Sequence, residues 1–238
     1  MADKTVLILA NSIRVAPNAC VAGKEVIGKS ANLALGGWIR PISAHGDGEL
    51  SPAERRTSDG REVRVLNIVQ MKLGEHVPDN LQPENWRLVT PPQWVAVGAG
   101  TLAHLEAAKD TPPDLWRDPN GAQDRVSAGH IENAPLAQSL YLIEVPSVEL
   151  RVSREDYGLA NPRTKRRALF TYRNTKYDLA FTDPNLQHRY PLAAPNVGAP
   201  PTIHNINHPC YLCISLAHQP WNSFHYKLLA ALIDPEFI

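Results

Sequence analysis

Four potential metal ligands fall within ten residues in His204-x3-His208-Pro209-Cys210-x2-Cys213. Zinc sites draw four nitrogen or sulfur ligands into a tetrahedron, and short spacings of this kind can supply them. The stretch from Cys210 to Leu216 has strand character, however, and side chains on a strand alternate between faces. Cys210 and Cys213 then point in opposite directions. The expectation is a pair of free thiols, with no metal site and no cofactor.

A second string, Gly23-Lys24-Glu25-Val26-Ile27-Gly28-Lys29-Ser30, satisfies the G-x-x-x-x-G-K-[ST] pattern of a phosphate-binding loop. Such a loop needs its first glycine directly after a buried strand, so that backbone N–H groups curl around a phosphate at a helix N-terminus. Here the preceding apolar run ends near Ala10, a dozen residues too early, and bulky Val26 and Ile27 crowd the interior. The string reads as a coincidental loop. G-x-S-x-G, H-E-x-x-H and EF-hand patterns do not occur, and no catalytic residue is assigned.

Two clusters point to binding instead. Within residues 151–189, nine Lys and Arg stand against four Asp and Glu, although the whole chain carries 24 of each sign. Arg166, Arg167, Arg173 and Lys176 gather near the ends of an expected hairpin that also carries Phe170, Tyr172 and Tyr177. Bases stacked on aromatics and phosphates neutralised by flanking cations are how small barrels hold single strands. Arg166, Arg167, Tyr172, Arg173, Lys176 and Tyr177 are therefore the candidate nucleic-acid contacts. The competing reading puts the aromatics inside the barrel and the cations in solvated turns, and the exposure of Tyr172 and Tyr177 separates the two. In the first half, Asn11, Ser12, Lys24, Trp38, Arg40 and Ser43, with Cys20 nearby, form a candidate ligand site, because one Trp and one Arg among polar groups suit a nucleotide base and phosphate.

The elements that must position these residues are mostly strands. The chain has 238 residues and 21 prolines, which argues against a helical bundle and for many loops and strand ends. Strands are expected at Thr5–Ala10, at Trp38–Ile42 with Pro41 at an edge or strand end, and at Arg64–Leu73. A short helix is expected from Ser51-Pro52-Ala53-Glu54, and residues 78–125 read as a helical, Pro- and Trp-rich connector with extended ends, whose clearest helix is Thr101–Lys109. After Ser139 the pattern is plainly β. Strands at Ser139–Val145, Val148–Val152, Ala168–Tyr172, Tyr177–Thr182, Tyr211–Leu216 and Phe224–Ile233 give roughly the count of a small closed barrel. The fold class is mainly β with helical connectors (α+β), divided into an N-terminal unit over 1–137 and a C-terminal barrel over 138–238. Only three cysteines and no signal-like or spanning apolar run lead to the expectation of a soluble, cytoplasmic protein.

Several segments together resemble the dual OB-containing domain family. They are Leu9-Ala10-Asn11-Ser12, Cys20–Lys24, Gly37–Ser43, Gln82–Trp86, Ser139–Ile143, Phe170, Tyr172, Tyr177, Thr182-Asp183-Pro184 and Tyr226-Lys227-Leu228. The resemblance implies two OB-like small β-barrels, an intracellular role in prokaryotic conflict or phage-defence gene neighbourhoods, and ligand recognition. The reading that follows is a non-catalytic module that binds single-stranded nucleic acid or a nucleotide-like ligand beside an effector protein, with no membrane partner. An NTP-binding or nucleic-acid-processing enzyme using Gly23–Ser30 or the His/Cys cluster is one alternative, and an adaptor with protein partners only is another.

Overall fold

The computed structural model of this protein describes residues 1–14, 16–28, 34–46, 48–156, 158 and 162–238. Among the described residues, β1 (Ala2–Ser12), β2 (Cys20–Val26), β3 (Leu35–Ile42), β4 (Asn67–His76), β5 (Asn85–Leu88) and β6 (Trp94–Ala99) form the first sheet. Its order is β1-β2-β3-β5-β4, and β4 pairs back onto β1, so five strands close into a barrel; β6 shares the outer edge of β4 with β5. The β3–β5 pair is parallel. β1 serves two partners in turn: Ala2–Leu7 pairs with β4, and Val6–Ser12 with β2.

Helix α1 (Leu102–Ala108) follows, then β7 (Arg125–Ser127) and α2 (Ala128–Asn133). The second sheet is built from β8 (Leu140–Val145), β9 (Val148–Glu155), β10 (Arg163–Tyr172), β11 (Thr175–Phe181), β12 (Thr202–Ile206), β13 (Cys210–Leu216) and β14 (Phe224–Ile233), with α3 (Leu186–Arg189) and a final 3-10 turn at Pro235–Phe237. Its central order, β9-β10-β11-β14-β13-β8, repeats that of the first barrel, including a parallel pair, β11–β14, in the same place. Here the first strand is broken at Pro146-Ser147. β8 keeps the pairing to β13 and β9 the pairing to β10, dividing the two tasks that β1 performs alone. A proline has no amide hydrogen to donate to a ladder, which makes it a natural place for the break.

Three apolar clusters explain the sequence pattern. Val6, Ile8, Val21, Met71 and Trp94 fill the first barrel, while Leu150, Phe170, Tyr177, Leu212 and Leu229 fill the second. The third cluster lies between the barrels: Leu7, Leu9 and Trp38 from the first pack on Leu142, Tyr211, Cys213 and Ile233 from the second, with Leu105 and Ala108 of α1. β1 and β13 are thus buried on both faces, so each reads as an unbroken apolar run rather than an alternation. Packing also crosses the expected division after residue 137, because Leu115, Trp116, Val126 and Ile131 belong to the second core and β7 pairs with β14.

Several expectations need correction. The expected helix at Ser51–Glu54 is a turn: Glu54 accepts from the Ser51 amide at 2.8 Å and from Ser43, closing a local hydrogen-bond ring instead of starting a helix. The extended stretch expected before the helix of residues 78–125 forms two paired strands, β5 and β6, because Trp94 and Leu88 face the first core. Within Gly23–Ser30, Gly23–Val26 lies in β2, not in a loop; a side chain on Gly23 would sit 2.0 Å from the Leu7 carbonyl oxygen, so the glycine serves a close strand approach. Lys29 and Ser30 lie outside the described residues. The helix expected at Thr101–Lys109 is present as α1, where the Thr101 amide donates to His104 Nδ1 at 3.2 Å. Among the described residues, no helix is long and apolar enough to cross a membrane.

Candidate nucleic-acid interface and inter-barrel cleft

The candidate residues of the first half gather at the junction between barrels. Lys24 on β2 donates to Asp110 Oδ1 at 2.6 Å and to the Ala108 carbonyl at 2.7 Å. The indole N–H of Trp38 donates to the other oxygen of Asp110 at 3.2 Å, and that oxygen also accepts from the Leu142 amide at 2.9 Å. One carboxylate therefore ties β2, β3 and β8 together. Arg40 pairs with Glu84 at 3.0 Å, both almost fully buried, and donates to Ser139 Oγ at 2.9 Å. Ser139 in turn donates its amide and hydroxyl to Glu84. Ser12 meets Thr182 of the second barrel at 2.6 Å. Asn11 and Ser43 turn away from this junction, Asn11 donating to Val63 O at 3.0 Å and Ser43 to Glu54 Oε1 at 2.8 Å.

Those bonds satisfy most of the polar atoms that suggested a ligand. Lys24 and Trp38 are committed to Asp110. Arg40 is different: its Nε is buried with no hydrogen-bond partner among the described residues. Arg40 also lines a narrow cleft between the barrels, about 60 Å³ in volume and open to solvent, together with Ser12, Arg14, Cys20, Gln82, Ser215 and His218. Burial pushes the Cys20 thiol up, against the opposing pull of Arg40, so it stands there as a neutral group.

The hairpin of the second barrel divides its candidates between two places. Tyr177 is buried in the core, stacked on Phe170 with centroids 5.4 Å apart, and cannot stack on a base; alternation from Tyr177 to Leu179 and Phe181 puts all three inside. Tyr172 is partly buried, donates to the Pro112 carbonyl at 2.8 Å and lies under the Arg173 guanidinium, 5.7 Å from its ring centroid. The aromatic half of the expected interface is therefore mostly structural. Arg173 and Lys176 are exposed at the tip.

At the other end of the hairpin, a groove of about 2050 Å³, counted out to open solvent, runs between the barrels. Arg163, Lys165, Arg166 and Arg167 of β10 line one side, Ile13 and Arg14 of the first barrel lie across from them, and Trp221 closes the end. Lys165 and Arg167 lie near Glu155 and Asp178, and Arg166 meets the Gln187 side-chain amide. The Arg163 side chain is exposed and makes no hydrogen bond or ion pair among the described residues, and Arg14 has only a 3.7 Å approach to Glu49. Trp221 is 66% exposed on the β13–β14 loop, where a tight turn with positive φ at Asn222 and Ser223 holds it outward. Sequence reasoning counted the cations but missed Trp221 and Arg14. The signal for Trp221 was a large aromatic in a Pro-Trp-Asn turn, where no core awaits it.

The His/Cys string comes apart as alternation predicts. Cys210 faces the second core and Cys213 the inter-barrel cluster, and the His204 ring packs on Tyr190, centroids 4.8 Å apart. A model of a family described as the dual OB-containing domain matches residues 4–232. No curated protein sequence matches the chain.

Proposed function

Because the chain belongs to the dual OB-containing domain family, we propose that it is a non-catalytic recognition module that binds single-stranded nucleic acid along the groove between the barrels. The observation that carries this reading is the lining of that groove, which brings four cations of β10, Arg14 and one exposed tryptophan to the same surface. Guanidinium groups match phosphate oxygens in a bidentate fork, and an indole face stacks on any base. Arg163 and Arg14 are the cations least engaged by the protein and take the first phosphates. In an OB barrel the strand 2–3 face and the loop between strands 4 and 5 form the usual binding surface. β10, β11 and the Trp221 loop hold those places here.

A second reading, favoured by the partnerless Arg40 Nε, seats a nucleotide-like ligand in the adjoining cleft. Arg14 lines both the cleft and the groove. Action beside an effector protein in a bacterial defence system, and a cytoplasmic location, complete the proposal.

The test is a fluorescence titration with short single-stranded oligonucleotides at several salt concentrations. Log K falls linearly with log salt, in proportion to the phosphates neutralised. Replacing Arg14 and Arg163 with Ala flattens that slope by about two contacts' worth, whereas Trp221→Ala costs about 1–3 kcal/mol of affinity with the slope unchanged. Absence of binding at low salt overturns the groove reading and leaves the cleft, which Arg40→Ala then probes with mononucleotides.

A further inference from the structure

We propose that His208, Cys210 and Asp234 form a zinc-class divalent metal site at the end of the second barrel. The register of β13 and β14 builds it. Tyr211 pairs with Ile233, which sets Cys210, the first residue of β13, opposite Asp234, the residue just past β14. His208 lies two positions earlier in the turn that leads into β13. One ligand atom from each of the three lies within 4.8 Å of the others. Ligand atoms around tetrahedral zinc stand about 3.3–3.6 Å apart, so the widest separation closes by about an ångström. The contact between His208 Nε2 and Asp234 Oδ1, 2.9 Å, opens slightly. His208, a third exposed, is the side chain with room to make that adjustment.

The chemistry of the set is that of zinc rather than magnesium or calcium. One thiolate, one carboxylate and one neutral imidazole give mixed sulfur, oxygen and nitrogen donors and a summed charge that cancels a divalent ion. Cys210 is packed in the second core, but the one polar contact of its thiol is the 3.5 Å approach to the His208 carbonyl. Outer partners are already in place, since the Tyr190 hydroxyl donates to Asp234 Oδ2 at 2.6 Å and the Glu236 amide donates to Oδ1 at 2.9 Å, on the oxygen that faces His208. Metal-bound carboxylates are commonly oriented by such a bond. Ions enter from the solvent side, past His208 and the exposed Glu236, whose carboxylate lies 3.7 Å from His208 Nδ1. The fourth position falls to water or to Glu236. The site clasps the turn before β13 to the 3-10 turn after β14.

The experiment loads the chelator-treated full chain with Zn²⁺ for elemental analysis, and with Co²⁺ for spectroscopy. One zinc per chain and a thiolate-to-cobalt charge-transfer band are expected. Both are lost in Cys210→Ser and at least tenfold weakened in His208→Ala, and both survive in Cys213→Ser and His204→Ala. His208→Ala decides the matter if Cys210→Ser does not fold, because His208 lies outside the core. Zinc well below one per chain, a cobalt spectrum without the band, or a band that persists in His208→Ala or disappears in Cys213→Ser overturns the site.

Discussion

Lys227 is a cation inside a barrel. It is 3% exposed and has no carboxylate within ion-pair distance among the described residues; its ammonium donates only to the Ala122 carbonyl, at 3.5 Å, and lies 5.8 Å from the Tyr177 ring centroid. Burial lowers its pKa to about 8, while Asp114, Asp124 and Asp118 pull the other way from a distance. The folded value is below that of the unfolded chain, near 10.4. Between those two values the unfolded state holds a proton that the folded state has released, so stability rises with pH across that window, by up to about 3 kcal/mol. Below pH 8 both states are charged and the full burial cost remains. Lys227→Met is expected to stabilise the protein at pH 7 and to remove the rise between pH 8 and 10.5, as read by urea melts. None of this was visible in the sequence, where Lys227 is one base among others. The same holds for Lys24 and Arg40. Each looks like a ligand contact because, in the sequence, it belongs to a set of polar groups around one Trp that suits a nucleotide base and phosphate. Their partners, Asp110 and Glu84, are remote in the chain and no local pattern announces them.

Elements defined by near neighbours were legible, and those defined by distant ones were not. The β10–β11 hairpin was read from its alternation and its polar turn. Arg173 and Asn174 both have positive φ, 45° and 64°, as a two-residue hairpin turn of matching twist requires. Asn174→Gly is expected to add about 0.5–1 kcal/mol and Asn174→Val to cost about 1–2 kcal/mol, because a branched side chain collides with the backbone in the left-handed region. Thermal melts of the two variants check this. The exception is β2, which pairs with its sequence neighbours β1 and β3 but was read as part of a loop. By contrast β5, β6, β7 and β12 went unread because each is short, and each is held by pairing to a strand far along the chain or by a single buried anchor such as Trp94. The Ser51 turn shows the converse: a helix-start signal was real as a local hydrogen-bond ring, but nothing after it continues the helix.

At the scale of the whole molecule the two barrels share a core, and neither half carries a complete one. A fragment of residues 138–238 lacks Leu115, Trp116, Val126 and Ile131 and exposes Tyr211, Cys213 and Ile233. It is expected to bind hydrophobic dyes and to lack a cooperative melt, whereas the intact chain unfolds in one calorimetric transition; two separate transitions in the intact chain contradict this. The second barrel was readable from its strand count and the pair of barrels from the family resemblance, but their union was not. The residues that join them are the outer faces of strands, which in a lone barrel meet water.

The double burial of β1 also bears on how this protein can change over evolutionary time. From Val6 to Leu9 every side chain is fully buried, odd and even positions answering to different cores. An ordinary half-buried strand offers drift a free choice at every second site. Here that freedom is gone: a substitution that suits one barrel's interior leaves its neighbour constrained by the other barrel, so the segment accepts variation only when two independently packed surfaces accept it together.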